Sequence, residues 1–225
     1  MSSKLNKLIE AQAPKFEGWI DALNNHHQSI FDSKKYSTEE YSNLIFATSD
    51  VLHKISEIFI KYGAFKDSFD NSKMHVHIYG PELIIKSEKT GGDFRLGVDN
   101  EGIYLESFLR FAENMRHMGD DFYKNFLSLD NFGEFELKEN QFYNFDVTAR
   151  YESLYQNRKS KLFKLLRNYM VGMAEEQEDI LLGQMTVKWP PDMYFSDIIK
   201  NGCQAFKVMY KLNYSLWKIS DLKKK

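Results

Sequence analysis

Between Met74 and Leu105 four short apolar runs, Met74–Tyr79, Leu83–Lys86, Phe94–Val98 and Ile103–Leu105, are separated only by Gly80-Pro81, Thr90-Gly91-Gly92-Asp93 and Asp99-Asn100-Glu101-Gly102. Runs of this length bounded by Gly, Pro, Asn and Asp read as strands and tight turns. A parallel pair needs a crossover of about a dozen residues or more, and no connection here is long enough. The segment is therefore predicted to be an antiparallel meander. A further strand pair is expected at Phe132–Leu137 and Phe142–Val147, and a short strand at Thr186–Trp189 before Pro190-Pro191.

The chain on either side has a different period. Ser37 and Glu40 have capping-box spacing. Tyr41, Leu44, Ile45, Val51, Leu52, Ile55, Ile58, Phe59 and Tyr62 then recur at about 100° per residue, which predicts an amphipathic helix ending near Gly63. His53 lies off that stripe and is expected to be exposed, while Phe46 and Ile60 lie opposite it and suggest cover on a second side. Lys4 to Asn25 reads as helix interrupted near Pro14. Glu106–His117, Asp120–Leu129, Ala149–Leu182 and Phe195–Ile219 read as further helices, with Gly202 permitting close packing in the last. The expectation is an α+β fold in one domain, residues 1–225: a helical N-terminal segment over 1–65, a sheet-rich middle over 74–147 and a helical C-terminal segment over 149–220. Its sheet is mostly antiparallel, flanked by long amphipathic helices.

Composition narrows the function classes. Hydrophobic residues make up 43% of the chain, with 18 Phe and 13 Tyr, enough to bury a core. The formal net charge of −2 gives no sign of a dedicated nucleic-acid binder. One cysteine, Cys203, excludes an intramolecular disulfide and a cysteine-rich zinc site. Its apolar helical neighbours make it a small core residue. No stretch has the length of a signal peptide or a membrane span, so a cytoplasmic protein with no membrane association is expected.

Catalytic motifs are sparse. There is no Walker-type phosphate loop, Gly-x-Ser-x-Gly elbow, His-Glu-x-x-His helix or Rossmann fingerprint. His75 and His77 sit two apart on a predicted strand, which places both imidazoles on one face where they could share a metal if further ligands joined them. Gly91-Gly92-Asp93-Phe94 is similar to the signature turn of diguanylate cyclases but lacks the second acid before Phe94, and reads as a hairpin turn. Arg110 and His117 have a spacing that resembles the Arg-x6-His element of HEPN ribonucleases, with Phe111 where those motifs commonly carry a polar residue.

Asp130 followed by Glu136-x-Lys138 resembles the core of PD-(D/E)xK nucleases over those nine positions alone, without the preceding proline. That resemblance implies two carboxylates holding Mg²⁺ and a lysine assisting the attacking water. It stands as the alternative to a protein that uses no cofactor.

The main expectation is a non-enzymatic protein that binds and modulates another macromolecule, most plausibly a protein. An inhibitor or immunity protein against a toxin, phage counter-defence and assembly are compatible roles. The centre of the chain is acidic, and Asp93, Asp99, Glu101, Asp120 and Asp121 fall in predicted turns or at a helix start, where they would meet a basic partner. Arg150, Lys161 and Lys164 project from the long helix away from its apolar stripe and offer a face for nucleic-acid phosphates.

Overall fold

The computed structural model describes residues 3–12, 18–31, 36–138, 158–177, 180 and 182–223. Among the described residues the first elements are the helices α1 (Ser3–Gln12), α2 (Trp19–Phe31) and α3 (Thr38–Gly63). Four strands follow, β1 (Phe69–His77), β2 (Gly80–Ser87), β3 (Asp93–Asp99) and β4 (Gly102–Phe108). Then come a 3-10 turn (Ala112–His117), α4 (Asp120–Ser128), a second 3-10 turn (Leu129–Asn131) and β5 (Glu134–Lys138). The described chain ends with α5 (Arg158–Ala174), β6 (Gln184–Trp189) and α6 (Phe195–Lys223). The fold is α+β, with helices at both ends of the chain. One six-stranded sheet has the order β1-β2-β3-β4-β6-β5, and its first four strands are the predicted meander. The predicted strand Phe142–Val147 lies outside the described residues.

The chain forms two compact units, Met1–Leu105 with Lys188–Lys207, and Glu106–Val187 with Val208–Lys225. In the first, α3 starts as its sequence requires: the Ser37 side chain accepts from the Glu40 N–H, and Glu40 accepts from the Ser37 N–H. Ile45, Val51, Leu52, Ile55, Ile58 and Phe59 are buried. The far side of the helix is not covered at Phe46, which is 72% exposed, and His53 is half-buried, not exposed. The helix ends at Gly63 as expected, but the residue that takes the left-handed capping conformation is Ala64 (φ 47°). Gly63 is needed for a different reason: the Phe65 ring folds onto it, 1.9 Å from where a Cβ would stand.

Phe206 of α6 is the hub of this core. Its ring centroid lies 4.9 Å from that of Phe94, 5.6 Å from Phe65, 5.7 Å from Phe69 and 5.8 Å from Phe59. Gly202 allows the approach, since a Cβ there would lie 2.4 Å from Phe59 Cζ. Cys203 is fully buried, and burial pushes its thiol up to about 12, which removes it as a nucleophile at neutral pH.

The second unit packs Phe126 edge-on to Phe135 at 5.2 Å, with Leu129, Leu137, Leu165 and Leu182 buried. Asn114 donates to the Leu216 carbonyl (3.0 Å) and Asn168 to the Leu182 carbonyl (2.9 Å). Two expectations change here. Glu106–Phe108 extends β4 instead of starting a helix, and Phe111, in the left-handed region at φ 58°, precedes a short 3-10 turn where a longer helix was expected.

Candidate functional site

The first hairpin is built from two alternating strands. On β2, Leu83 and Ile85 are fully buried toward the core, so Glu82, Ile84 and Lys86 face the other way. On β3, Phe94, Leu96 and Val98 point to the core and leave Arg95 and Gly97 opposite. Register fixes the rest: His75 pairs with Glu82, His77 with Gly80, and Glu82 with Gly97.

The two residues that join β1 to β2 are Ile78 and Tyr79, with His77 and Gly80 as the closing pair. Gly80-Pro81, the predicted turn, instead begins β2. Neither Ile78 nor Tyr79 takes a positive φ, so the turn does not require the Asn or Gly of primed hairpin loops, and both positions carry large side chains. Ile78 is 81% exposed, Tyr79 47% and Val76 59%. The apex is anchored from within, because His26 Nε2 donates to the Tyr79 carbonyl (3.0 Å). Gly80 makes room for that ring at φ +151°, where a Cβ would stand 2.6 Å from His26 Nε2.

Beside the apex lies a set of donors. Glu82 is only 3% exposed. Tyr104 Oη donates to its Oε2 at 3.0 Å. Gly97 is what lets that ring lie there, since a Cβ at Gly97 would fall 2.3 Å from Tyr104 Cζ. Glu82 Oε1 accepts no hydrogen bond; His77 Nε2 lies 3.5 Å away and Arg95 Nη1 3.7 Å away. The His75 and His77 rings are nearly perpendicular, 6.2 Å apart between centroids. One donor atom from each of His75, His77 and Glu82 falls within 4.8 Å of the others, and among the described residues this is the one such group of three.

Two further histidines lie behind the apex on α2. His26 and His27 are buried, and His27 has no hydrogen-bond partner on either nitrogen. Burial holds both below their ordinary value of 6.5; the Tyr79 hydrogen bond opposes this for His26, while the neighbouring His26 adds to it and Asp99 opposes it for His27. His27 borders a cavity of about 190 Å³ with Leu23, Ile103 and Ile198.

The remaining sequence candidates fall in several places. Asp99 and Glu101 both pair with Lys188, whose ammonium is favoured by those contacts against its partial burial. Asp93 is exposed at the start of β3. Asp120 and Asp121 are exposed in the first turn of α4, where carboxylates also suit the positive end of the helix dipole. Asp130 pairs with Lys161, Lys138 donates to Glu106, and Glu136 is exposed on β5, so the lysine and the first acid of the nuclease arrangement are each engaged elsewhere. Lys161 also lies 5.0 Å above the Phe135 ring, and Lys164 is half-buried; Arg150 lies outside the described residues. Arg110 sits over the Phe111 ring at 5.6 Å, while His117 accepts from Arg116, so neither contact joins the HEPN-like pair.

Sequence reasoning reached His75 and His77 but not Glu82, Arg95, Gly97 or Tyr104. The available signal for Glu82 is an acid directly before the apolar run Leu83–Ile85 of the strand. No helix among the described residues is long and apolar enough to cross a membrane. No family model, curated protein or solved structure matches the chain.

Proposed function

We propose that the protein acts by binding another protein, and that the β1–β2 hairpin end is the contact. The observation that carries this is the apex: Ile78 and Tyr79, with Val76 on the adjoining strand, hold large, mostly apolar side chains in water. Neither Ile78 nor Tyr79 has a positive φ, so the turn itself calls for neither side chain, and a surface role accounts for them best. Among the described strands β1 is also an edge strand, the position at which a partner's backbone can add by pairing. Its irregularity, between Asp70 and Lys73, lies away from the apex and leaves Met74–His77 regular.

Inhibition of a toxin in an immunity pair, counter-defence and assembly all use this mode of action. The partner is expected to be basic, with Asp120 and Asp121 as exposed steering charges; Asp99 and Glu101 are already committed to Lys188. Nothing in the placement of Asp130, Glu136 and Lys138 favours the nuclease reading.

Affinity purification from the native source tests the proposal, using wild type and the Ile78→Ser/Tyr79→Ser variant, each with and without nuclease treatment. A defined protein retained by wild type, lost by the variant and indifferent to nuclease is the expected result. A partner lost on nuclease treatment, or retained equally by the variant, would refute it.

A further inference from the structure

We propose that His75, His77 and Glu82 form a binding site for a divalent transition ion of the zinc class. This goes beyond the protein-binding reading and does not rest on it. Three independent features point the same way.

The first is the donor chemistry. Two imidazoles and one carboxylate are the ligand types that zinc takes in three-ligand sites, with a fourth position left to water or an incoming group. Mg²⁺ and Ca²⁺ prefer all-oxygen shells and fit this set poorly. The second is geometry. In a tetrahedral site with bonds of about 2.0–2.1 Å, donor atoms stand about 3.4 Å apart. His77 Nε2 and Glu82 Oε1 are already 3.5 Å apart. All three donors lie within 4.8 Å, and both histidines are exposed, so rotation of their side chains closes the remaining distance.

The third is the state of Glu82. Its carboxylate is almost wholly buried, yet Oε1 accepts no hydrogen bond. A buried charged oxygen left in that condition is costly. Tyr104 holds the other oxygen and so aims Oε1 toward the histidines, the kind of outer contact that orients metal-bound carboxylates. Gly97 is the residue that permits this placement.

Arg95 is the competing cation. Its guanidinium nitrogen is 3.7 Å from Oε1 and would repel a metal there. If Glu82 served only as a partner for Arg95, removing the arginine would leave the carboxylate worse off and metal would be irrelevant. If the site takes metal, removing the arginine removes repulsion and tightens binding.

The test is a titration of the metal-stripped full-length chain with ZnCl₂ against a chromophoric chelator, with Co²⁺ as a spectroscopic substitute. One zinc per chain and the visible absorption of tetrahedral Co²⁺ are expected. His75→Ala/His77→Ala should abolish both. Glu82→Gln, which keeps the size of the side chain, should weaken zinc by at least about tenfold, and Tyr104→Phe by about tenfold. Arg95→Gln should tighten it. Far-UV circular dichroism of each metal-free variant shows whether it is folded, and the two histidines, being exposed, should be replaceable without loss of fold. Absence of saturable zinc uptake by wild type would overturn the proposal. So would uptake that survives both His75→Ala/His77→Ala and Glu82→Gln, which would place the zinc elsewhere.

Discussion

Two glutamates on neighbouring stretches of the chain, Glu82 in the first unit and Glu106 in the second, are buried to nearly the same degree, 3% and 7% exposed. Their surroundings differ. Glu106 accepts on both oxygens: Lys138 Nζ (3.2 Å) and Thr186 Oγ1 (3.0 Å) donate to one, and Gln184 donates to the other. Glu82 has one oxygen held by Tyr104 and one that accepts no hydrogen bond, facing two exposed histidines. A carboxylate that accepts on both oxygens inside the fold contributes to stability and leaves neither oxygen without a donor. A carboxylate fixed by one oxygen is oriented, and keeps the other for something else. Burial alone does not separate the two acids; the hydrogen bonds that each oxygen accepts do.

The first unit is expected to stand on its aromatic core and not on the contacts of Glu82. Phe59→Ala should therefore cost about 3–5 kcal/mol in urea unfolding, since Phe59 is fully buried against Phe206. A loss within about 0.5 kcal/mol would place the support elsewhere. In the second unit, Lys138→Met leaves Glu106 without its cation. A loss of about 2 kcal/mol is expected, less than for a wholly buried pair because the lysine side chain is 39% exposed. No measurable loss would mean that Thr186 and Gln184 suffice.

Acidity should separate the units by a smaller effect. His26 and His27 have folded values below 6.5 because burial disfavours their charged forms. Above that pH both are neutral, folded or unfolded, and their contribution is complete. As pH falls below about 6.5 the unfolded chain takes up protons that the folded unit resists, so stability declines toward the folded values. His27→Leu should flatten the pH-stability curve over this range; an unchanged slope would remove His27 from the account. The smallest effect expected is kinetic. Asp120→Lys/Asp121→Lys should slow association with the hairpin's partner, more at low salt, and leave dissociation nearly unchanged. An association rate indifferent to salt and to the double reversal would leave the apolar apex as the whole of the recognition.

Much of the fold was legible. The Ser37–Glu40 capping box, the helical stripe from Ile45 to Phe59 and the meander each follow from short-range rules, and the structure shows all three. The donor set was half legible. Alternation put His75 and His77 on one face, but the residue opposite them depends on register, and register depends on where the chain turns. A turn at Gly80-Pro81 would oppose Tyr79 to Glu82. The observed turn at Ile78-Tyr79 opposes His75 to it. Ile and Tyr carry no turn signal, and the anchor that fixes the apex is a histidine some 53 residues earlier in the chain. Glu106 was misread for a similar reason: its run has helical character locally, and strand pairing overrides it. Phe111 and Ala64 adopt left-handed conformations that nothing in their side chains announces.

Side-by-side urea unfolding of metal-free Glu82→Gln and Glu106→Gln tests the contrast most directly. In Glu82→Gln the amide oxygen can still accept from Tyr104 and its NH₂ can donate to His77, so a loss under about 1 kcal/mol is expected. In Glu106→Gln an NH₂ group must face donors already in place, and Lys138 loses its counter-charge, so a loss of about 2–3 kcal/mol is expected. Equal losses, or a larger loss for Glu82→Gln, would show that Glu82 is a structural partner of Arg95 and would contradict the account.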